Sequence, residues 1–562
     1  MTDIKIASDG VARWVSFDRE PVDLAAIEAR CTPEFLTQAV GRLGEIEIVS
    51  ACVNTSGQHA TVLPSISFSI PMPDPIVVSD LPPFCDVVVN ARGAGGHIAT
   101  ITIWVPMNWN GRFLGTLGGG NRTDSMFGMP ETMRTLCMPT ALRNGFATAK
   151  TDGANKSDRH VDWALDPETG AVDWDLTENW IHRSTHEMTV IGKAVTAAIH
   201  GRAPKFSYAA GCSGGGRQAI VEAQRYPGDY DGVWSSDPAI NWTRFLLAGL
   251  WPALVMKEIA VLPPAKFRAF RSAAIEACDG IDGLCDGIIG AFDPCHFDAR
   301  RIVGRTTEAG AITERDAEAM NMIWQGPRTH DGRFLWHGLG VGNESWGDNR
   351  SRVGLCMVAE VAGNLQPAPF DMVIGYIRGW LAKDLDWDWK TLPFDEYEWL
   401  FERSVQEMAR AASDDPDLAG LRASGGKLMI THGSCDPVIP YMGSVDYYRR
   451  IVEVIGSEEA TRSFARLFIS EGDGHGACRD PGPGLTVADG MAALMRWVEL
   501  GEAPDEITGR ALDVMTGEVS ATRPIYPYPY VPQYRGEGDA DAATSFRPVH
   551  FSERAELSPA AS

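Results

Sequence analysis

The chain has 562 residues, of which 44% are hydrophobic and 22% charged, proportions that exclude a disordered or fibrous protein. Fifty Lys and Arg stand against 74 Asp and Glu, which leaves a formal net charge of −24. A chain this acidic repels phosphate backbones and anionic lipid surfaces. The longest apolar stretch, Phe245–Met256, is shorter than the roughly 20 residues that cross a bilayer. We therefore expect a soluble protein that binds neither nucleic acid nor membrane.

The compartment has two opposing indications. The N-terminal segment MTDIKIASDGVARW has no basic n-region and no apolar h-region, so no secretory signal is visible, which favours the cytoplasm. The 11 cysteines are too sparse for a disulfide scaffold, and their odd number leaves at least one unpaired. Free thiols in a reducing cytosol are one interpretation of them.

Short β-rich runs, most of them followed closely by Gly, Asp or Pro, recur along the chain. They are Ile98–Val105, Arg112–Leu117, Phe146–Thr151, Phe206–Ala210, Gly232–Ser236, Lys427–Thr431 and Ala465–Ile469. Helical patterns separate many of them, such as Ser184–His200, Arg217–Arg225 and Val487–Leu500. This alternation predicts an α/β fold with a mostly parallel central sheet and helices on both faces.

Between residues 238 and 425 the alternation fades and tryptophan is frequent. Strand patterns resume at Lys427. We interpret this region as a large insertion into one α/β domain, whose first part is residues 1–237 and whose second part is residues 426–562.

The segment FSYAAGCSGGGRQAI contains a candidate nucleophile. Gly211-Cys212-Ser213-Gly214-Gly215 fits the pattern G-x-S-x-G, with a β-rich run before it and an amphipathic helix after it. The glycines permit a strained turn that lifts the serine hydroxyl out at the carboxyl end of the sheet. The alternative is a glycine-rich turn without a catalytic role, and the strand–turn–helix setting favours the nucleophile elbow.

An acid and a histidine follow in the order of α/β-hydrolases. Asp436 comes shortly after the strand pattern of KLMITH, and His475 follows the strand pattern of ARLFIS. In this prediction His475 takes the proton of Ser213, and Asp436 fixes the imidazole tautomer and stabilises its cation. Taken singly, Asp436 is a plausible turn residue and His475 a loop histidine; their shared position after strands favours the triad.

The oxyanion hole is predicted from two glycine-rich segments. The first donor is the backbone N–H of Gly214, which directly follows the nucleophile. The second is expected from RFLGTLGGGN, where we favour Gly119. A glycine loop required only for steric reasons is the alternative for the second segment.

These segments resemble the tannase/feruloyl esterase family, which includes mono(2-hydroxyethyl) terephthalate hydrolases. The similar segments extend from LPPFCDVVVN to RPIYPYPYVPQYRGEGDADAATSF, and GCSGGGRQ and CDGIDGLCDGII are the most specific of them. The resemblance implies an α/β-hydrolase fold in which residues 238–425 form a lid domain. It also implies a serine carboxylic-ester hydrolase that cleaves esters of aromatic acids, of feruloyl, galloyl or terephthaloyl type, through an acyl-enzyme.

The acidic loop that follows Cys278 is a candidate calcium site. Carboxylates of Asp279, Asp282 and Asp286, with the carbonyls of Leu284 and Ile288, make an all-oxygen shell suited to Ca²⁺. The family's calcium loop has the same spacing, so the resemblance favours a structural ion in the insertion over a solvated acidic turn. No organic cofactor is expected.

The resemblance also implies disulfides. In the family, a cysteine before the nucleophile pairs with one directly after the catalytic histidine, whereas here Gly476 follows His475 and the cysteine is displaced to Cys478. The implied pairs are Cys212–Cys478, Cys278–Cys295 and Cys31–Cys85. These pairs favour an oxidising compartment, whereas the absence of a visible signal favours the cytoplasm.

Two further residues are candidates for substrate binding. His186 in RSTHE matches a family position near the active site, and Arg378 in the insertion is suited to hold a substrate carboxylate. A structural helix histidine and a surface ion pair are the respective alternatives. The expected partner is a small aromatic ester; hydrolysis of an aryl amide or lactone, or a non-catalytic binding protein on this fold, are the rival functions.

Overall fold

The computed structural model describes residues 5–6, 14–16, 23–61, 76–120, 123, 138–155, 164–292, 295–348, 354–475, 484–487, 489–512 and 519–557. Among these residues, no helix combines the length and apolar character that a membrane crossing requires.

A nine-stranded sheet forms the centre of the protein. Its spatial order is β9-β8-β7-β6-β4-β5-β3-β2-β1. In chain order the strands are β1 (Ile46–Asn54), β2 (Phe84–Arg92), β3 (Ile98–Pro106), β4 (Arg112–Thr116), β5 (Ala147–Thr151), β6 (Phe206–Cys212), β7 (Gly232–Ser236), β8 (Lys427–Gly433) and β9 (Ala465–Ser470).

The sheet is parallel from β4 to β9 and antiparallel at its other end. Each neighbouring pair among β4 to β9 is parallel, whereas β1–β2, β2–β3 and β3–β5 are antiparallel. The turn of residues 93–97 is too short for a crossover, so β2 and β3 form a hairpin. The predicted, mostly parallel α/β sheet is therefore confirmed, with an antiparallel edge that the strand–helix alternation did not indicate.

Helices cover both faces of this sheet. Helices α1, α2, α5, α6, α12 and α13 share one apolar core with the sheet, and α3 and α15 pack on the opposite face. The helices are α1 (Leu24–Arg30), α2 (Pro33–Val40), α3 (Met138–Arg143), α4 (Trp174–Glu178), α5 (Ser184–His200), α6 (Gly214–Arg225), α7 (Trp242–Glu258), α8 (Pro264–Cys278), α9 (Glu314–Gln325), α10 (Asp371–Tyr376), α11 (Tyr397–Glu407), α12 (Ala419–Ser424), α13 (Met442–Ile455), α14 (Glu458–Arg462), α15 (Gly490–Leu500) and α16 (Phe551–Leu557).

The side chains of β8 show why the inner strands are continuously apolar. Leu428 and Ile430 face the core beneath α6 and α13, whereas Met429 faces the core beneath α15. Because successive side chains point to opposite faces, a strand covered on both sides needs apolar residues at every position.

The segment between β7 and β8 builds a second apolar core. Its described residues add no strand to the nine-stranded sheet; they form α7 to α12 and a small sheet of Trp346–Asp348, Cys356–Val361 and Asn364–Pro367. Most of its tryptophans are buried in this core, namely Trp242, Trp251, Trp336, Trp346, Trp380 and Trp389. The tryptophan-rich composition therefore mainly reflects packing within the insertion.

The remaining strands lie outside the nine-stranded sheet. They are Lys5–Ile6, Val15–Ser16, His59–Thr61, Ile76–Val78, Thr306–Thr307, Gly310–Ala311, Thr486–Val487, Ile507–Leu512, Val519–Ile525, Tyr530–Tyr534 and Phe546–His550.

Candidate active site

Ser213 is the sharp turn between β6 and α6. Its φ of 62° and ψ of −121° lie outside the regions that a residue with a side chain normally occupies. The Ser213 N–H donates to the Ser236 carbonyl at 2.9 Å, and its own carbonyl accepts the Ala239 N–H at 3.0 Å. The end of β7 and the turn after it therefore hold the strained serine in place, as a nucleophile elbow requires.

The glycines around Ser213 allow two backbone segments to touch. A Cβ atom on Gly214 would overlap with the Gly120 carbonyl oxygen, and one on Gly215 would overlap with that of Gly118. Gly120 itself has a φ of 58°, a conformation that favours glycine. The loop containing Gly119 therefore lies against the elbow, as the sequence pattern required for the second oxyanion donor.

Gln218 joins this loop to the elbow helix. The Gly118 N–H donates to Gln218 Oε1 at 2.8 Å, and Gln218 Nε2 donates to the Thr123 carbonyl at 3.5 Å. Gln218 is 1% exposed, so these bonds are shielded from water. The helix that begins beside Ser213 thus also holds the loop of Gly119.

Asp436 and His475 meet at the same edge of the sheet. Asp436 follows β8 and His475 follows β9, and these parallel neighbours end on the side where β6 reaches Ser213. His475 Nδ1 lies 2.5 Å from Asp436 Oδ2. The other oxygen of Asp436 accepts the N–H groups of Val438 and Ile439, each at 2.8 Å.

The charges of this pair stabilise each other. Burial by itself lowers the pKa of His475, but the charge and hydrogen bond of Asp436 outweigh it and raise that pKa to about 8. Burial by itself raises the pKa of Asp436, but His475 and His432 hold it well below its usual range. Asp436 is therefore an anion at neutral pH that accepts the hydrogen bond of His475 Nδ1–H, which leaves Nε2 to exchange a proton with a reacting group.

Three residues that were not predicted from the sequence surround the acid. His432 Nε2 lies 3.2 Å from Asp436 Oδ2, and Asn343 from the insertion donates to the Asp436 carbonyl at 2.6 Å. Asp237 directly follows β7 and groups with Asp436 and His475. The position of Asp237 after a strand beside β6 was a signal that the pattern offered; nothing in the sequence pointed to Asn343.

The two predicted substrate residues make contacts elsewhere. His186 Nδ1 lies 2.6 Å from Asp229 Oδ2, and its ring stacks on Tyr226 with centroids 3.9 Å apart. Arg378 donates from Nε to the Trp387 carbonyl at 2.8 Å. Neither set of contacts includes the elbow or the Asp436–His475 pair, and the substrate role of both residues stays a prediction.

The carboxylates of the acidic loop are bonded within the loop and to the C-terminal segment. Asp279 accepts the Gly287 N–H at 2.9 Å, and Asp282 accepts the Leu284 N–H at 2.9 Å. Asp286 Oδ2 lies 3.0 Å from the Arg523 guanidinium. Carboxylate and carbonyl oxygens are the ligands that Ca²⁺ prefers. Among the described residues, however, the three carboxylates do not form a cluster whose ligand atoms all lie within 4.8 Å of one another.

Four of the implied disulfide cysteines lie in the described residues as two candidate pairs. Cys278 and Cys295 form a disulfide. Cys31 and Cys85 are buried neighbours without a bond between them, and the Cys31 thiol together with burial raises the pKa of Cys85. The implied Cys31–Cys85 bridge is thus not formed in this structure.

Of the remaining implied pair, only Cys212 lies in the described residues. Cys212 Sγ lies 3.8 Å from Asp237 Oδ2. Cys478 lies outside the described residues, so the Cys212–Cys478 bridge stays a prediction.

Residues 85–549 match the family model described as tannase and feruloyl esterase. The chain belongs to this family. A probable feruloyl esterase of Arthroderma benhamiae is 37% identical over 477 residues, which cover 82% of this chain and 84% of that protein. The mono(2-hydroxyethyl) terephthalate hydrolase of Piscinibacter sakaiensis is 28% identical over 543 residues, covering 87% and 88%. Membership of this family of esterases confirms that the chain is a carboxylic-ester hydrolase.

Solved structures agree on the fold. Feruloyl esterase B from Aspergillus oryzae superposes with a TM-score of 0.74 at 22% identity, covering 93% of this chain and all of that one. The tannin acyl hydrolase from Aspergillus niger superposes with a TM-score of 0.75 at 22% identity, covering 95% and 96%. The predicted α/β-hydrolase fold is therefore confirmed.

Proposed function

We propose that Ser213, His475 and Asp436 form the catalytic triad of an esterase that cleaves esters of aromatic acids. The observation that carries the proposal is the 2.5 Å contact of His475 Nδ1 with Asp436 Oδ2, at the sheet edge where the strained Ser213 follows β6. Acid, base and nucleophile come from three strands that are close in the sheet, as a triad requires.

The proposed reaction proceeds through an acyl-enzyme. Ser213 Oγ attacks the ester carbonyl while His475 Nε2 takes the hydroxyl proton, and Asp436 stabilises the imidazolium that results. The backbone N–H groups of Gly214 and Gly119 stabilise the negative charge that develops on the carbonyl oxygen. When the intermediate collapses, His475 returns the proton to the departing alcohol, and water then repeats the sequence to release the acid.

The substrate class follows from the names of the relatives. Two of them are a feruloyl esterase and a hydrolase of mono(2-hydroxyethyl) terephthalate, both of which act on esters of aromatic acids. We propose residues 238–425 as a lid over the acyl group of the substrate. The contact of Asn343 with the Asp436 carbonyl supports this, since it joins the insertion to the turn of the acid.

Two further features belong to the proposal. We propose a structural Ca²⁺ held by Asp279, Asp282 and Asp286 with the carbonyls of Leu284 and Ile288, since the donor set is all oxygen. We also propose an oxidising compartment, which the Cys278–Cys295 disulfide beside this loop supports.

Hydrolysis of a small ester panel by wild type and Ser213→Ala tests the function. The panel is methyl ferulate, methyl gallate, mono(2-hydroxyethyl) terephthalate and p-nitrophenyl acetate. We expect turnover of at least one aromatic-acid ester by wild type and its loss, by about 10⁴-fold or more, in the variant. Activity on p-nitrophenyl acetate alone would contradict the aromatic acyl group, and a folded wild type that neither turns over the panel nor reacts with a fluorophosphonate would favour a binding protein.

A further inference from the structure

A second buried carboxylate lies beside the Asp436–His475 pair. Asp237 directly follows β7, the strand between the one that ends at the nucleophile and the one that leads to the acid. Its side chain is buried, with 2% of the residue exposed. A carboxylate oxygen of Asp237, one of Asp436 and a ring nitrogen of His475 all lie within 4.8 Å of one another.

The end of β7 and the neighbouring strand β8 hold Asp237 in this position. Its φ of 43° is unusual for a residue with a side chain, and its N–H donates to the Thr431 carbonyl at 2.8 Å. Asp237 Oδ1 accepts the Gly433 N–H at 2.9 Å, and Oδ2 accepts the Ser236 hydroxyl at 2.5 Å. A strained backbone persists only where its surroundings determine it, so the carboxylate is directed toward the pair by the fold.

The hydrogen bond to Gly433 connects Asp237 with the catalytic acid. Gly433 ends β8, and its carbonyl accepts the Asp436 N–H at 3.2 Å. Asp237 therefore fixes the start of the turn that aims the Asp436 carboxylate at His475.

The charged groups around Asp237 favour an effect on the imidazolium. The charges of His475, His432 and Asp436 act on Asp237, and Asp473 acts on His475 from the turn after β9. The Cys212 thiol at the end of β6 lies 3.8 Å from Asp237 Oδ2. Burial raises the pKa of Asp237, and the two histidines act in the opposite direction. The active enzyme carries a neutral His475, which becomes an imidazolium during the reaction. A second carboxylate beside it therefore stabilises the transition state more than this neutral form.

We propose that Asp237 is a positioning residue of the active site, which holds the Asp436 turn through Gly433 and stabilises the His475 imidazolium by its charge. The inference rests on the proposed triad.

Asp237→Asn separates charge from shape, because the amide oxygen still accepts the Gly433 N–H. The acid limb of kcat/KM reports the protonation of His475, and loss of a nearby anion lowers the pKa of an imidazolium. We expect that limb to move to lower pH by about 0.5 to 1 unit and kcat to fall about tenfold. Asp237→Ser, which is also neutral, gives the same shift if the asparagine variant does not fold.

Asp231→Asn is the matched control. Asp231 precedes β7 at the opposite end of the same strand, where it accepts the Ser207 N–H at 2.7 Å. Removal of this charge should leave the acid limb in place. Thermal unfolding of each variant shows whether a change in rate reflects lost structure.

His475→Ala distinguishes failure of this inference from failure of the triad. One outcome is an acid limb that is lost in His475→Ala and yet keeps its wild-type midpoint in folded Asp237→Asn. That combination would overturn the role of Asp237 alone. A limb and rate that persist in His475→Ala would overturn the triad and, with it, this inference.

Discussion

Gln218 accepts the backbone N–H of Gly118 at 2.8 Å, although the two residues are 100 positions apart in the chain. One side chain on the elbow helix thereby fixes the glycine loop of the proposed oxyanion hole relative to Ser213. An oxyanion hole works only if its donors are in place before charge develops, so a rigid connection between the two segments favours catalysis.

Gln218→Ala should lower kcat more than it changes KM. The Gly118 N–H loses its buried acceptor, so we expect a loss of about 1–3 kcal/mol in unfolding free energy. We also expect a decrease in kcat of about tenfold, because the loop no longer holds its donor in position. Steady-state kinetics and urea unfolding measure these effects.

Gln224→Ala is the control for this substitution. Gln224 lies on the same helix and donates to the Asp415 carbonyl at 2.9 Å, away from the glycine loop. Its replacement should leave kcat unchanged. Equal kcat values for wild type and Gln218→Ala would contradict the coupling.

The pH dependence of kcat/KM should reflect His475. Its pKa is raised to about 8, and the neutral imidazole is the base, so activity should increase as pH rises through about 8. In Asp436→Asn the anion that raises this pKa is lost, so the midpoint should fall while kcat decreases by up to about 10⁴-fold. A wild-type profile that stays flat from about pH 6 to about pH 9, a range that includes the expected midpoint, would exclude His475 as the base.

Glu499→Gln should destabilise the fold without changing the chemistry. Glu499 on α15 receives a bidentate contact from Arg112, at 2.7 and 2.5 Å, and the Tyr208 hydroxyl at 2.7 Å. Loss of the anion leaves a buried guanidinium without its counter-charge. We therefore expect the unfolding free energy to fall by about 3–5 kcal/mol.

Chemical denaturation and kinetics of the surviving enzyme test this expectation. Glu502→Gln is the control, since that residue is exposed just after the same helix. A Glu499→Gln variant as stable as Glu502→Gln would show that the buried pair contributes little.

Removal of the proposed calcium ion should affect stability more than rate. We expect chelation to lower the Tm, and added Ca²⁺ but not Mg²⁺ to restore it, because the proposed ligands are all oxygen atoms and Mg²⁺ demands a stricter octahedral geometry than Ca²⁺. Asp279→Asn should lose this response; Asp279 is chosen because Asp286 also pairs with Arg523. Superimposable melting curves with and without chelator would show that the loop is a solvated acidic turn that binds no calcium.

Local patterns in the sequence were sufficient for the framework of this protein. The strand runs, the glycines around Ser213 and the order of Asp436 and His475 depend on periodicity and turn chemistry, which act over a few residues. They predicted the parallel part of the sheet and the residues that meet at its carboxyl edge. Resemblance to a family added the esterase activity, which family membership confirms.

The side chains that surround that edge come from distant parts of the chain, and packing between elements brings them together. Gln218 reaches Gly118, Asn343 reaches the acid turn from the insertion, and Asp237 places a second carboxyl group beside His475. The antiparallel β1–β3 edge and the unbonded Cys31–Cys85 neighbours were also not apparent in advance. These relationships depend on the order of strands in the sheet and on packing between elements far apart in the chain, for which short-range patterns carry no signal.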